Sequence, residues 1–502
     1  MRAGRREWVG LAVLALPTML VTMDLSVLFL AVPKLSRDLR PSSGELLWIT
    51  DIYGFLIAAC LITMGTVGDR IGRRKLLLSG GALFALASLV AAFSTSPGML
   101  IVARAALGVA GATLAPSSLA LIRGMFRDPD ERQSAISIWI SCFAVGAAIG
   151  PVVAGALLQQ FWWGSVFLIN VPVMGLLLCL GPALLPESRD PNPGSVDIAS
   201  AAISLAALLS LVFGLTRTAE RGFDSLSAAA IVLGALLGVG FIRRQRRIAY
   251  PLVDLRLFAS STFVVALAAM LVSVFLVSGA DLFIAQFLQL VHESSPFATG
   301  LWLLPGVLAI IAGSMLAPAL ASRFGAGPVV AAGLGAAMLG LLLLSRLDAG
   351  SGVALVVTGT SLIGFGVGPV GALGTDIVVG SAPPERAGAA SALSETATEL
   401  GGALGIAVLG AIGTVVYRDS VAERLPRNLP AGSSDAAKDT LGGATDVAAH
   451  LPRMLSDEVL HGARVAFSHG LEIAVLVGAA IAAAMTLLAA SGLRSVVGGG
   501  GG

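Results

Sequence analysis

Long apolar runs follow one another along nearly the whole chain, parted in most places by turns of only a few residues. An apolar helix of about 20 residues crosses a bilayer. Fourteen runs reach or approach that length: 8–31, 46–67, 76–95, 99–122, 134–158, 165–185, 197–216, 225–242, 262–290, 298–321, 327–345, 353–380, 386–416 and 471–491, with 225–242 the shortest. Hydrophobic residues fill 56 % of 502 positions and charged residues 12 %, against roughly 25 % charge in a soluble domain. The fold class is therefore an all-α membrane protein with a multi-pass bilayer segment as its bulk. Net charge is +2, too small to argue for nucleic acid as a partner. Cys60, Cys142 and Cys179 sit inside apolar runs, where a thiol behaves as a small hydrophobe, and no spacing suits a metal.

Between the second and third runs the chain reads GTVGDRIGRRK, residues 65–75. Gly65, Gly68 and Gly72 allow two helix ends to approach and turn tightly. Arg70, Arg73, Arg74 and Lys75 suit a cytoplasmic turn, because short inside loops collect Lys and Arg. That rule explains the bases but neither Asp69 nor the glycine spacing. The string resembles the loop signature of the major facilitator superfamily, G-x-x-x-D-R-x-G-R-R/K-x, which implies a secondary transporter whose gate includes Gly65, Asp69, Arg70, Gly72 and Arg73. A faded counterpart, APALASRFG at 317–325, keeps Arg323 and Gly325 without the acid. Repeated halves around a central site are the usual plan of such transporters.

The expected organisation is a six-helix half (1–190), two inserted helices with a linker (191–257, the spans between Pro186 and Pro251), and a second six-helix half (258–502) whose polar segment 417–470 lies outside. Leu441, Val447, Leu451, Leu455 and Val459 recur there at roughly helical spacing, so the segment is either an ordered flap or a disordered loop. An even span count behind Arg2, Arg5 and Arg6 places both termini in the cytoplasm. Inside segments then hold the hinge bases, Arg123, Arg127, Arg132, RRQRR at 243–247, Arg323, Arg386 and Arg494, while short outside loops hold only Lys34, Arg37, Arg40, Arg217, Arg221 and Arg346. The first span has no clear cleavage site and is expected to stay as an anchor.

Acids inside spans are costly and usually work. Asp24, Asp51 and Arg104 all fall roughly 8–10 Å below the outer surface at 1.5 Å per residue. They are placed to meet, either as a lock between three helices or as a proton site governed by burial and by the charge of Arg104. The run MDLSVLFLAVP (23–33) resembles the first-span signature of the fourteen-span drug:proton antiporters, with Asp24 as its acid. LIVARAALGVAG (100–111) resembles the fourth-span motif built on an arginine, and GAAIGPVVAG (146–155) the fifth-span motif of antiporters. The resemblance implies proton coupling at Asp24, Asp51 and Arg104, and gating by Gly146, Gly150, Pro151 and Gly155. Read physically, the glycines offer a small-residue face for helix contact and Pro151 permits a kink. WITDIY (48–53) and FLINVP (167–172) extend the likeness, closest to QacA-like multidrug exporters.

In the thirteenth span, SETATELGG (394–402) stacks Glu395 and Glu399 one turn apart on a single face, about 13 Å and 20 Å into the membrane. The resemblance associates acids here with QacA-like exporters and amides with other relatives. Either the pair shares a proton that a cationic drug displaces, or both acids bond to neighbouring helices as neutral groups. Asp281 and Asp376 lie nearer span ends, where interfacial solvation competes with a binding role. Among scarce aromatic residues, 6 % of the chain, Phe55, Trp139, Phe143, Phe283, Phe287, Trp302 and Phe365 are candidates to stack on a cation, with Tyr53 and Phe29 foremost.

The expected activity is proton-coupled export of lipophilic cations (quaternary ammonium compounds, dyes, antibiotics) across a bacterial cell membrane by a monomer, with protons as the exchanged ion and no cofactor. The alternative is an exporter dedicated to one self-made antibiotic or metabolite. A passive channel fits poorly with two repeated halves and a hinge. A membrane enzyme lacks a Ser/His/Asp arrangement, and no phosphate loop for ATP occurs.

Overall fold

The computed structural model describes residues 3–189, 197–248, 253–383, 387–426, 429 and 433–493. Arg2, Pro251, Arg386 and Arg494 lie outside the described residues. The helices are α1 (Arg5–Leu39), α2 (Ser43–Ile71), α3 (Arg73–Ala92), α4 (Pro97–Met125), α5 (Pro129–Gln160), α6 (Ser165–Leu168), α7 (Asn170–Leu184), α8 (Ile198–Arg221) and α9 (Ser225–Gln245). They continue as α10 (Ser261–Gln286), α11 (Pro296–Phe324), α12 (Ala326–Leu344), α13 (Val353–Gly380), α14 (Ala387–Arg424), α15 (Ser433–Asp439), α16 (Leu441–Ala449) and α17 (Arg453–Gly492). Among the described residues fourteen helical stretches are long and apolar enough to cross a membrane, α6 and α7 together making one. The span 165–185 steps at Ile169 because Pro172 has no N–H to return to the carbonyl of Leu168.

Successive helices alternate in direction. One end of the bundle, called here the hinge side, carries the start of α1, the α2–α3 turn, the end of α7 and the α11–α12 turn. The other is the far side. α1 to α7 pack chiefly among themselves, as do α10 to α14 with α17. Apolar lipid gives helices no hydrophobic reason to associate, so close contact depends on small residues. A Cβ on Gly146 would stand 2.3 Å from the carbonyl oxygen of Met19, and one on Gly405 2.2 Å from that of Phe275, so α1–α5 and α10–α14 approach backbone to backbone. α8 and α9 pack on each other through Gly214 and Gly234, and α8 rests against α2 and α14. At their base Arg244 pairs with Asp197 at 2.9 Å. Burial opposes charge on Asp197, but hydrogen bonds from Arg244 and Ser200 prevail and hold its carboxyl at about 2, so the clamp is ionised at neutral pH.

The two groups touch in the far half. Gly54 of α2 meets Ala403 of α14, and Gly155 and Gly300 bring α5 onto α11 at Pro296 and Pro151. Near the hinge side, a Cβ on Gly65 would meet nothing within 4 Å. Internal prolines are distributed unevenly: α5 holds Pro151 and α11 holds Pro305 and Pro318, whereas α2 and α14 hold none.

The segment 417–470 is an ordered flap where it is described. α14 extends to Arg424 and α17 begins at Arg453, both well past the apolar runs, with α15 and α16 between them. Of the five apolar residues at helical spacing, Leu441 and Val459 are buried and Val447, Leu451 and Leu455 half-buried, and they run across two helices with a break at 450–452. The flap is tied to both groups: Ser43 Oγ donates to the Asp439 carbonyl at 2.5 Å, Arg40 pairs with Asp446 at 2.9 Å, and Tyr417 OH donates to the Ala437 carbonyl at 2.7 Å.

Candidate functional site

Asp24 and Arg104 meet. Nη1 of Arg104, fully buried, donates to Oδ2 of Asp24, 5 % exposed. Arg104 Nε donates to the Ile49 carbonyl at 3.2 Å, and the guanidinium lies 4.5 Å from the centre of the Tyr53 ring. The other carboxylate oxygen accepts from Asn170 Nδ2 at 3.3 Å, and the same amide donates to Ser88 Oγ at 3.1 Å. The cluster thus joins α1, α2, α3, α4 and α7. Asp51 is near enough to feel Arg104, yet neither of its buried oxygens has a hydrogen-bond partner. The expected three-membered ionic cluster is therefore one ion pair with a bare carboxyl beside it. Tyr53 faces this cluster, its hydroxyl donating to the Val21 carbonyl at 3.3 Å, so its ring lies under Arg104 instead of on open cavity wall. Asn170 and Ser88 were missed from sequence. Asn170 had a signal, since it sits inside FLINVP.

On α14, Glu395 and Glu399 stand half-buried, one turn apart. Glu399 is one turn from the Gly54–Ala403 contact and its charge reaches Tyr53 across it. Arg123, near the hinge end of α4, acts on Glu395. Asp281 lines a cavity of about 140 Å³ together with Phe29, while Asp376 is exposed, as expected of an interfacial acid. Trp302 and Phe365 point outward, 43 % and 40 % exposed. Trp139 is buried against Phe143, ring centres 5.0 Å apart, and Phe55 and Phe287 are buried in the helix packing.

The hinge is a single residue. Gly72, at φ +112°, ends α2 and starts α3, and Gly325, at φ +88°, does the same between α11 and α12. Asp69 pairs with Arg73 at 2.6 Å. Arg73 N donates to the Ser188 carbonyl at 2.9 Å and Arg74 N to Glu187 Oε1 at 3.1 Å, tying the turn to the end of α7. Glu187, the acid that completes this knot, was not singled out from sequence. A positive φ of this kind is nearly closed to L residues and costs on the order of 1–3 kcal/mol. Gly72→Ala is expected to lower the thermal unfolding temperature in detergent by several degrees, and an unchanged temperature would show that the turn relaxes freely. Gly146 and Gly150 face Met19, Met23 and Ser26 of α1, and Gly155 faces α11, so the 146–155 motif carries both a local and a cross-group contact.

The family model described as Major Facilitator Superfamily matches residues 14–406. The chain is 44 % identical to the multidrug efflux pump LfrA of Mycolicibacterium smegmatis over 99 % of its own length and 97 % of that protein's. It is 36 % identical to the methyl viologen resistance protein SmvA of Salmonella typhimurium, covering 97 % and 98 %, and 34 % identical to the tetracenomycin C resistance and export protein of Streptomyces glaucescens, covering 95 % and 90 %. In three dimensions it resembles a bacterial homologue of the human lysosomal transporter Spinster, solved inward-facing and unoccupied, with TM-score 0.65 at 16 % identity over 98 % and 99 % of the two chains, a likeness of fold alone. Hinge, repeated turn, fourteen apolar helices and family match agree: the chain is a multi-pass membrane protein that belongs to the Major Facilitator Superfamily.

Proposed function

We propose that the protein exports lipophilic cations in exchange for protons. The observation that carries this is the division of acids between two walls. A buried Asp24–Arg104 pair, with Asp51 beside it, lies among α1–α7, and two half-buried carboxylates lie on α14 at the contact between the groups. Support also comes from relatives named for multidrug efflux and for methyl viologen resistance. In this reading residues 1–190 and 258–502 form two halves that rock about the central cavity, and 191–257 adds the inserted pair. The hinge side is cytoplasmic, with both termini there. Protons arriving from outside neutralise the acids and release drug outward; their loss to the cytoplasm readies the site again. Asp69 with Arg73, and the α5–α11 and α2–α14 contacts, set which side is open. The membrane potential adds about 2.3 kcal/mol per 100 mV for each net charge moved inward.

The test is drug-evoked proton movement in vesicles carrying the purified protein. Ethidium supplied on the hinge side should drive protons the other way; ethidium transport with no proton flux would remove the coupling. The relative from Streptomyces glaucescens favours a second reading, export of one self-made compound. A resistance profile confined to a single chemical class, against unrelated cations, would select it.

A further inference from the structure

Two cavities are stacked along α10, α11 and α13, one within the second group and one at its contact with α1 and α5, and they share two lining residues. The hinge-ward one, about 300 Å³, is lined by Ser273, Ser314, Gly371 and by Thr398, which stands between Glu395 and Glu399 on α14. The far one, about 140 Å³, holds Asp281, with the Phe29 ring opposite. Val277 and Ile310 line both. Above the far cavity the bundle is shut: Gly155 abuts Pro296, Gly300 abuts Pro151, and Gln289 Nε2 donates to the Leu30 carbonyl at 3.1 Å.

Among the described residues Asp281 has no hydrogen-bond or ion-pair partner. A carboxylate in an apolar cavity is costly unless a cation joins it, and an aromatic face adds to the attraction for an alkylammonium. The far cavity is too small for a whole drug, whose pockets run to roughly 300–1,000 Å³, but a trimethylammonium head fits its scale. We propose that Asp281 is a second cation station in the far cavity, with Val277 and Ile310 between it and the hinge-ward cavity, which α14 lines at Thr398, one residue from Glu399. A two-headed cation then occupies both stations at once, with its linker between Val277 and Ile310. The proposal rests on the exporter reading, which supplies the first station.

The test uses the full chain in lipid nanodiscs and two probe sets: bis(trimethylammonium)alkanes of increasing chain length, and alkyltrimethylammonium ions of matched length. In wild type, affinity for the two-headed series should peak at one length, roughly tenfold or more above the matched single-headed probe, as expected for one added contact to a charged group. Asp281→Asn should erase the peak, bringing two-headed affinity down to that of the matched single-headed probe in the same variant. Val277→Phe, which fills the partition and leaves Asp281 in place, should do the same. A wild type without a peak, or a peak that survives either variant, overturns the second station while single-headed binding upholds the first. A wild type that binds no single-headed cation overturns both.

Discussion

Arg104→Ala is expected to abolish the proposed proton-driven export and to weaken the fold together. The guanidinium is fully buried and holds Asp24, the Ile49 carbonyl and the face of Tyr53 at once. Removing one partner of a buried ion pair leaves an uncompensated charge, at a cost of about 3–5 kcal/mol, which exceeds what most single changes do to a protein. The damage to folding would obscure the damage to coupling, so Asp24→Asn is the sharper instrument. It keeps the shape, keeps a group for Arg104 to bond, and removes only the titratable oxygen. The expected result is a protein that still inserts and binds drug, less stable than wild type because Arg104 keeps its charge with only Asp51 nearby to offset it, yet exports nothing under a proton gradient. Wild-type efflux by this variant would exclude Asp24 from coupling. Arg104→Lys should fail as well, because a point charge cannot serve the three contacts that a planar fork reaches.

Glu399→Gln is expected to change selectivity instead. Its carboxylate lies next to the α2–α14 contact and within reach of Glu395, so a dication feels two negative charges on one helix face. Losing one contact of this kind costs about 1–3 kcal/mol, or roughly five- to more than a hundredfold in affinity. Export of methyl viologen, a small dication, should fall by that order while a neutral or singly charged dye is partly retained. Glu395→Gln should follow the same direction to a smaller extent, since Arg123 already offsets its charge. The measurement is efflux of a charge-matched pair of compounds at equal expression. Equal loss of both would make Glu399 a coupling or structural acid, and equal retention would make it a bystander.

Much of this was legible in the residues. Fourteen apolar runs give fourteen spans because span length is fixed by bilayer thickness, and the depth of Asp24 and Arg104 follows from rise per residue. Depth, however, says nothing about azimuth. Asp51 shares that depth and still makes no bond, because its direction is set by the packing of α2 on α4, where Gly108 lies 2.6 Å from the Tyr53 carbonyl as a Cβ would see it. The same limit hid Tyr53 under Arg104 and hid Asp281 in a mostly apolar cavity, although its place near a span end suggested solvation. Hydropathy also stops where lipid stops. α14 and α17 continue as helices beyond the apolar runs, and only the weak recurrence of Leu441 and Val459 hinted that the polar segment was ordered. Glu187 was invisible for another reason: its partner at the hinge is more than a hundred residues away, beyond any local pattern.

The uneven placement of proline has a mechanical corollary. The far-side seal has two edges, α2 against α14 and α5 against α11. The first pair consists of helices without an internal proline, and each therefore behaves as a stiff strut. In the second pair Pro151 and Pro305 each delete a backbone bond and admit bending. A seal with one rigid edge and one pliant edge does not part evenly. In the proposed cycle it should peel, starting where Gly155 and Gly300 hold α5 to α11, with Gly54 and Ala403 as the fulcrum. The exit would then open beside Pro151, into the cavity that Asp281 also lines.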